Sequence, residues 1–346
     1  MPDVKEVYEM VTKQKSTEPG ALERQRIRQI RTMRNRKIGA FAVAACIASL
    51  AVAFALTSDR AARDTGHSGS DTFPTEPPLG PTVVTLDGTV IERIPGLPSD
   101  AFALEMSPDG RTIAFITADR VATIGADGTG IRILTDDLNN AFGDAHDAIA
   151  WSPDGTQLAY ASKNDVYVMG ADGSGARRLT IAENGDYFPV WSSQDVIAYW
   201  NGSMTGEDGG PMDSEIFTIP AEGGKPTRLT ENAVSNIEPT WSPDGRRLAF
   251  WNEGELFVMN ADGSRIRHLY SGDGGAWAPA WSPNGERIAF LSYDPSDRSV
   301  NDRPLLEVMV LELATGDVSG LGIRVESDLN GPSWTPDGNL LINRHD

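Results

Sequence analysis

From about residue 82 to the end, apolar and polar positions alternate in short runs. Ile113-Ala114-Phe115, Leu158-Ala159-Tyr160, Leu248-Ala249-Phe250 and Ile288-Ala289-Phe290 are such runs. Each follows a turn signal, and this pattern of short runs and turns predicts β-strands rather than helices. A second unit recurs between them. Val166-Tyr167-Val168-Met169, then Ala171-Asp172-Gly173, then Arg177-Arg178-Leu179-Thr180 reads as a hairpin. It returns at 121–135, 216–230, 256–269 and, in weaker form, at 308–321.

The turn signals are themselves a repeat. They read Ser107-Pro108-Asp109-Gly110, Trp151-Ser152-Pro153-Asp154-Gly155, Trp191-Ser192-Ser193-Gln194, Trp241-Ser242-Pro243-Asp244-Gly245, Trp281-Ser282-Pro283-Asn284-Gly285 and Trp334-Thr335-Pro336-Asp337-Gly338. Their Ser or Thr positions are spaced 45, 40, 50, 40 and 53. That is the blade period of a β-propeller. Hairpin units also bracket the array: Val83–Asp87 and Val90–Ile94 precede the first turn signal, and the last turn signal has no hairpin after it. The expected fold is therefore all-β, a six-bladed propeller over 82–346. Its last blade takes two strands from about 332–343 and two from about 82–94, which closes the ring and removes the sheet edge. In the turn, Pro fixes φ, Asp bonds the local backbone and Gly supplies positive φ. Blade 1 has Met106 at the Trp position, and blade 3 (Ser192-Ser193-Gln194-Asp195) lacks both Pro and Gly, so its turn must differ.

Before the propeller the pattern changes. Residues 38–56 are 19 consecutive uncharged positions, roughly 28 Å as a helix against a hydrocarbon core of ~30 Å. This predicts a single transmembrane helix. Residues 1–37 carry ten basic and five acidic side chains, with Arg34, Arg36 and Lys37 against the helix. The basic flank places the N-terminus in the cytoplasm and the propeller outside the cell membrane. Val43-Ala44-Ala45-Cys46 has the look of a lipidation box, but the apolar run continues past Cys46, which favours a plain helix-packing thiol. Residues 57–81, rich in Ser, Thr, Gly, Pro and Asp, read as a linker.

The overall charge of −19 then separates into two parts. With +5 in the tail, 20 bases and 44 acids remain beyond it. Nucleic-acid binding is excluded as the default, because phosphate contacts need clustered cations. One cysteine excludes an internal disulfide, and four histidines leave little for a histidine-built metal site.

The repeated Trp-Ser-Pro-Asp-Gly turn, the [Ile/Leu]-Ala-[Phe/Tyr] strand, the Ala-Asp-Gly turn and Arg-x-Leu-Thr resemble the repeats of TolB-like β-propellers over about 82–346. Propellers of the dipeptidyl-peptidase and prolyl-oligopeptidase type are more distant relatives. The resemblance implies a six-bladed propeller and no catalytic residue, since the shared motif is the blade's scaffold. The TolB N-terminal domain is replaced by the basic tail and apolar segment. No Gly-x-Ser-x-Gly of a hydrolase partner domain occurs.

Ligands of such a fold are expected at the channel mouth, on the face of the blade-linking loops and of the long loops 200–214 and 292–306. The residues just before each motif Trp point there: His146, Asp147, Asp186, Tyr187, Glu238, Trp277, Asp328 and Asn330. One reading makes them a polar ligand pocket. Carboxylates across a channel also suit acid–base cleavage of glycosides. The plain alternative is that they fill the channel and bond the linking loops. No cofactor is expected; oxygen ligands for Ca²⁺ abound, but no EF-hand-type loop appears. The expectation is a membrane-anchored, extracytoplasmic module that binds a protein, a peptide or a cell-wall ligand. A transmembrane regulator with a cytoplasmic partner on residues 1–37, and a channel-mouth hydrolase or lyase, stand as alternatives.

Overall fold

A computed structural model describes residues 81–343, apart from 99, 118–119, 136–137, 139–147, 183, 203–213, 233–234, 273, 294–305 and 326–330. The expected tail and membrane helix lie outside the described residues, as does the linker up to its last residue. Also outside them are His146, Asp147, Asp328 and Asn330 and most of the two long loops. Among the described residues there are strands but no helix long and apolar enough to cross a membrane.

Six four-stranded antiparallel sheets follow one another along the chain. Strands β1 (Pro81–Val84) and β2 (Val90–Arg93) come first and are set aside. Blade 1 is β3 (Phe102–Met106), β4 (Thr112–Thr117), β5 (Arg120–Gly125) and β6 (Arg132–Ile133). Blade 2 is β7 (Ile149–Trp151), β8 (Gln157–Ser162), β9 (Asp165–Gly170) and β10 (Arg177–Arg178). Blade 3 is β11 (Asp186–Trp191), β12 (Val196–Asn201), β13 (Glu215–Pro220) and β14 (Thr227–Arg228). Blade 4 is β15 (Asn236–Trp241), β16 (Arg247–Asn252), β17 (Glu255–Asn260) and β18 (Arg267–Ser271). Blade 5 is β19 (Trp277–Trp281), β20 (Arg287–Tyr293), β21 (Leu306–Glu312) and β22 (Val318–Val325). Blade 6 joins β23 (Ser333–Trp334) and β24 (Leu340–Asn343) to β1 and β2, in the order β2-β1-β24-β23. Thr82 pairs with Ile342 and Val83 with Leu341, so the two ends of the propeller share one sheet. This is the two-plus-two closure that the repeat order implies.

The second strand of each blade explains the seams between blades. Its Ile or Leu and its Phe or Tyr face the preceding blade, and its Ala faces the following one. Ala114 thus packs with Leu158 and Tyr160, Ala159 with Ile197 and Tyr199, Ala198 with Leu248 and Phe250, and Ala249 with Ile288 and Phe290. Each seam pairs two large side chains with one small one. The closure seam departs from this rule. There Leu341 stands where the other blades have Ala, and it packs with Ile113, Phe115 and Met106. Met106 in turn stands where the other blades have Trp. A larger residue on one side is matched by a smaller one on the other, which keeps the seam filled.

In three seams the motif Trp is a second tie. Trp151 Nε1–H donates to the carbonyl of Glu105 (3.1 Å), Trp241 to that of Val190 (3.2 Å) and Trp334 to that of Ala280 (3.0 Å), each in the preceding blade. The turn after it is held by its own polar atoms. Ser152 Oγ donates to Asp154 (2.7 Å) and accepts from the N–H of Gln157 (2.9 Å), while Gly155, at φ +70°, closes the turn to Ser152. In blade 3 the turn is one residue shorter. Asp195 takes the left-handed position itself (φ +57°), and Ser192 N–H bonds Val196 instead of a residue five positions on. The hairpin motif is equally local: the hydroxyls of Thr135, Thr180 and Thr230 accept the N–H of the second residue of the third strand, from Val121, Val166 and Ile216.

Candidate functional site

The first strands of all six blades line a single cavity of about 450 Å³, which marks them as the inner strands and the cavity as the central channel. An inner strand is an edge strand whose outer N–H groups face the channel, so proline is tolerated there. Pro189, Pro239, Pro279 and Pro332 take the same position, two residues before the Trp, in four blades. One residue earlier the strand bulges. Ala103, Phe188, Glu238 and Ala278 sit at φ between 48° and 55°, and the pairing register slips at each of these places. Four non-glycine residues in the left-handed region at equivalent positions make the bulge a built feature of the ring. At that level Gly331 of blade 6 meets Ala278, where an added Cβ would come within 2.5 Å of the Ala278 Cβ. The described cavity runs from these bulges to the Ser-Pro turns, where Pro108, Pro153, Pro243 and Pro283 edge it.

A second hollow of about 530 Å³ lies between blades 1 and 2 on the turn face. Its walls, such as Asp109, Asp154 and Gly155, are the turn scaffold repeated in every blade, so the channel is the candidate site.

The channel wall is formed by small or apolar side chains with few exceptions. One residue before the Trp position the six blades present Glu105, Ala150, Val190, Thr240, Ala280 and Ser333. Glu105 borders the cavity and is half-buried by exposure, yet protein surrounds its carboxyl. Burial pushes its pKa up to about 7, against a smaller opposing effect of the Ser333 hydroxyl, which donates to Oε2 at 2.8 Å. Glu238, on the opposite blade, is buried outright. Its pKa is also raised to about 7 by burial, partly offset by the Ala278 N–H that bonds its carboxylate at 2.7 Å. Glu238 thus ties blade 4 to blade 5 and does not line the cavity.

Of the eight residues expected at the mouth, four are described. Asp186 is buried in the seam between blades 2 and 3, where Asn201 Nδ2 donates to it at 2.7 Å. Burial raises its pKa above the usual carboxylate range, and nearby Asp165 adds to this, while Thr180, Asn201 and Arg178 act the other way. Its blade 4 counterpart is Asn236, which donates to Glu215 at 3.1 Å. Tyr187 is buried, with its hydroxyl bonded to Asn164 and its ring 4.6 Å from Trp200. Trp277 is partly exposed and stacks on Trp251 at 4.8 Å. Tyr187 and Trp277 belong to one aromatic cluster with Phe188, Trp200 and Trp251, beside Ile237. Glu238 is joined to this side through Ala278, and Asp186 stands apart in the polar seam. Glu105 was not among the expected residues: those lie three to six positions before the motif Trp, whereas Glu105 stands one before Met106, which takes the Trp position in blade 1.

Among the described residues no group of three or more His, Cys, Asp or Glu is placed to hold a metal ion. The polar clusters are internally paired instead: Glu215 is met by Arg228 (2.8 Å), Thr230, Asn232 N–H (2.9 Å) and Asn236.

No protein-family model matches this chain, and no curated protein matches it. Solved structures do. A protein assigned as TolB from Agrobacterium tumefaciens is similar with a TM-score of 0.60 at 22% identity, over 77% of this chain and 98% of that one. TolB from Acinetobacter baumannii gives a TM-score of 0.50 at 16% identity, over 77% of this chain and 65% of that one. A chain of the nidogen/laminin complex gives 0.51 at 13% identity, over 69% and 91%. The fold is thus the TolB-like six-bladed propeller that the repeats resemble.

Proposed function

We propose that this chain is a membrane-anchored, extracytoplasmic propeller that binds a protein or peptide ligand in its central channel. The observation that carries the reading is the channel itself. It is a cavity of about 450 Å³ with apolar and proline walls, set in a closed ring and edged by the Ser-Pro turns. A concave, mostly apolar site with a few placed polar groups is what ligand recognition requires. The ring is stiff, since every inner strand is tied into two seams, so little ordering is lost on binding. The likeness to TolB propellers, and to a chain of a protein complex, supports a macromolecular ligand at the level of fold. The 19-residue uncharged segment behind a basic flank supports the tether and its orientation.

Partner capture tests the reading. Full-length chain carrying a photo-crosslinking residue at Val190 is expected to yield a discrete adduct, and Ala280→Trp, which fills the channel, is expected to abolish partner recovery. Unchanged recovery by Ala280→Trp would sink the channel as the site. An engineered cysteine at exposed Ser174 is expected to react with a membrane-impermeant maleimide on intact cells; protection until lysis overturns the orientation.

A further inference from the structure

The six blades are six copies of one scaffold, and they show which residues the scaffold needs. One position before the Trp, five of them manage with Ala150, Val190, Thr240, Ala280 and Ser333. Glu105 is the exception. A carboxylate in an apolar wall is costly to ionise; the seam to blade 2 uses the Glu105 carbonyl rather than its side chain, and the closure-seam bond from Ser333 needs an acceptor there but not a charge. Its Oε2 accepts one hydroxyl from Ser333, and among the described residues no cation pairs with it.

The walls around it suit one kind of group. Pro239, Pro279 and Pro332 offer apolar surface to a methylene stem, as long cationic side chains need. The motif Trp rings border the same cavity, and one of them, Trp281, already holds the guanidinium of Arg247 at 4.9 Å from its centroid. Building on the channel as the binding site, we infer that Glu105 is the anionic anchor for an alkylammonium or guanidinium group of the ligand, a lysine or arginine side chain that reaches into the channel from the partner. The stem lies along the prolines and the charged head meets the Glu105 carboxylate beside the Ser333 hydroxyl. Pairing with a cation draws the carboxyl to its ionised form, which burial alone opposes.

The test uses the full-length chain in detergent micelles at pH 8.5, with capped penta-lysine, its fully acetylated counterpart and spermidine as probes. Binding is read calorimetrically and by the fluorescence of the channel tryptophans. Penta-lysine is expected to bind and its acetylated form to fail. Glu105→Gln, which keeps shape and the Ser333 bond, is expected to weaken binding at least tenfold. Glu231→Gln, at an exposed acid, is expected to leave it unchanged. Spermidine held as tightly as the peptide, with the same loss in Glu105→Gln, supports the same anchor with a free polyamine as its source. Equal affinity in Glu105→Gln, an equal loss in Glu231→Gln, or no wild-type affinity for either amine overturns the inference. If partner recovery is lost in Ala280→Trp but kept in Glu105→Gln, the channel stands and the cation anchor falls; if both variants recover the partner, both fall.

Discussion

Ser333 donates a 2.8 Å hydrogen bond to Glu105 across 228 positions of sequence. The two side chains meet at the seam where the first and last blades close the ring, both one residue before the Trp position. A bond at this place ties β23, which comes from the end of the chain, to β3 near the start of the propeller. It also holds the one channel-lining acid among the described residues in a fixed position.

Glu105 and Glu238, with Asp186 acting in the same direction, shape the pH dependence of folding above pH 4. Glu105 and Glu238 hold their protons up to about pH 7, whereas unfolded glutamates release theirs near 4.5. Between those values the native state binds more protons, so stability falls as pH rises through the window and is level above it. Glu105→Gln and Glu238→Gln are each expected to remove that residue's share of this slope and to gain up to about 3 kcal/mol at pH 8. Urea unfolding at pH 5 and pH 8 measures it; a wild-type chain as stable at 8 as at 5 refutes it.

The acid side belongs to the turns. Asp109, Asp154 and Asp244 are held below the usual carboxylate range, first by the Ser two residues before and then by a backbone N–H. Asp127, Asp172 and Asp262 are lowered likewise in the hairpin turns, each first by a side-chain hydroxyl and then by a backbone N–H. Depressed acids stabilise the fold above their unfolded pKa, and this is lost as pH falls through the folded value. Blade 5 shows the neutral solution: Asn284 accepts from Ser282 (2.7 Å) and from the N–H of Glu286 (3.1 Å). Asp154→Asn, which keeps the acceptor without the charge, is therefore expected to lower the melting temperature slightly at pH 7 and to lose less of it than wild type between pH 7 and pH 3.

Much of this fold was legible because each blade repeats one solution to one problem. The turn residues, the [Ile/Leu]-Ala-[Phe/Tyr] alternation and the motif Trp all act within a blade or on its neighbour, so spacing alone counts the blades and closes the ring. The site was harder to read. Tyr187 and Asp186 look alike in sequence, polar residues ahead of a Trp, yet one ends in an aromatic cluster and the other in a seam with Asn201. Which way such a residue turns depends on the bulge at the next positions and on the preceding blade, and neither is written in its own stretch of sequence. Glu105 was missed for a different reason: it stands one residue before the Trp position, where the other five blades carry Ala150, Val190, Thr240, Ala280 and Ser333, and the expected residues all lie further from it.

The closure seam offers a sharper test of packing. Leu341 and Met106 replace the usual Ala and Trp and pack in one cluster. Leu341→Ala is expected to cost about 2–5 kcal/mol through the cavity it leaves, and Met106→Trp about 1–3 kcal/mol through overpacking. The double variant restores the pattern of the other blades and is expected to be more stable than the sum of the two losses. A double-mutant cycle by denaturant unfolding reads the coupling; additive losses would show that the two positions do not compensate.

Trp241 separates the two contributions of the motif Trp. Its ring packs in the seam between blades 3 and 4 with Ala198, Ile216, Leu248 and Phe250, and its Nε1–H reaches the Val190 carbonyl. Trp241→Ala removes both and is expected to cost about 3–5 kcal/mol. Trp241→Phe keeps most of the ring and loses the donor, so about 1–2 kcal/mol is expected from the unpaired carbonyl and the smaller volume. Trp281 gives the control, since its Nε1 is buried with no hydrogen-bond partner. Trp281→Phe breaks no such bond and is expected to cost less than Trp241→Phe. Equal losses at the two sites, measured by thermal and urea unfolding, would mean that packing alone makes the motif Trp a staple and that the indole bond to the preceding blade adds nothing.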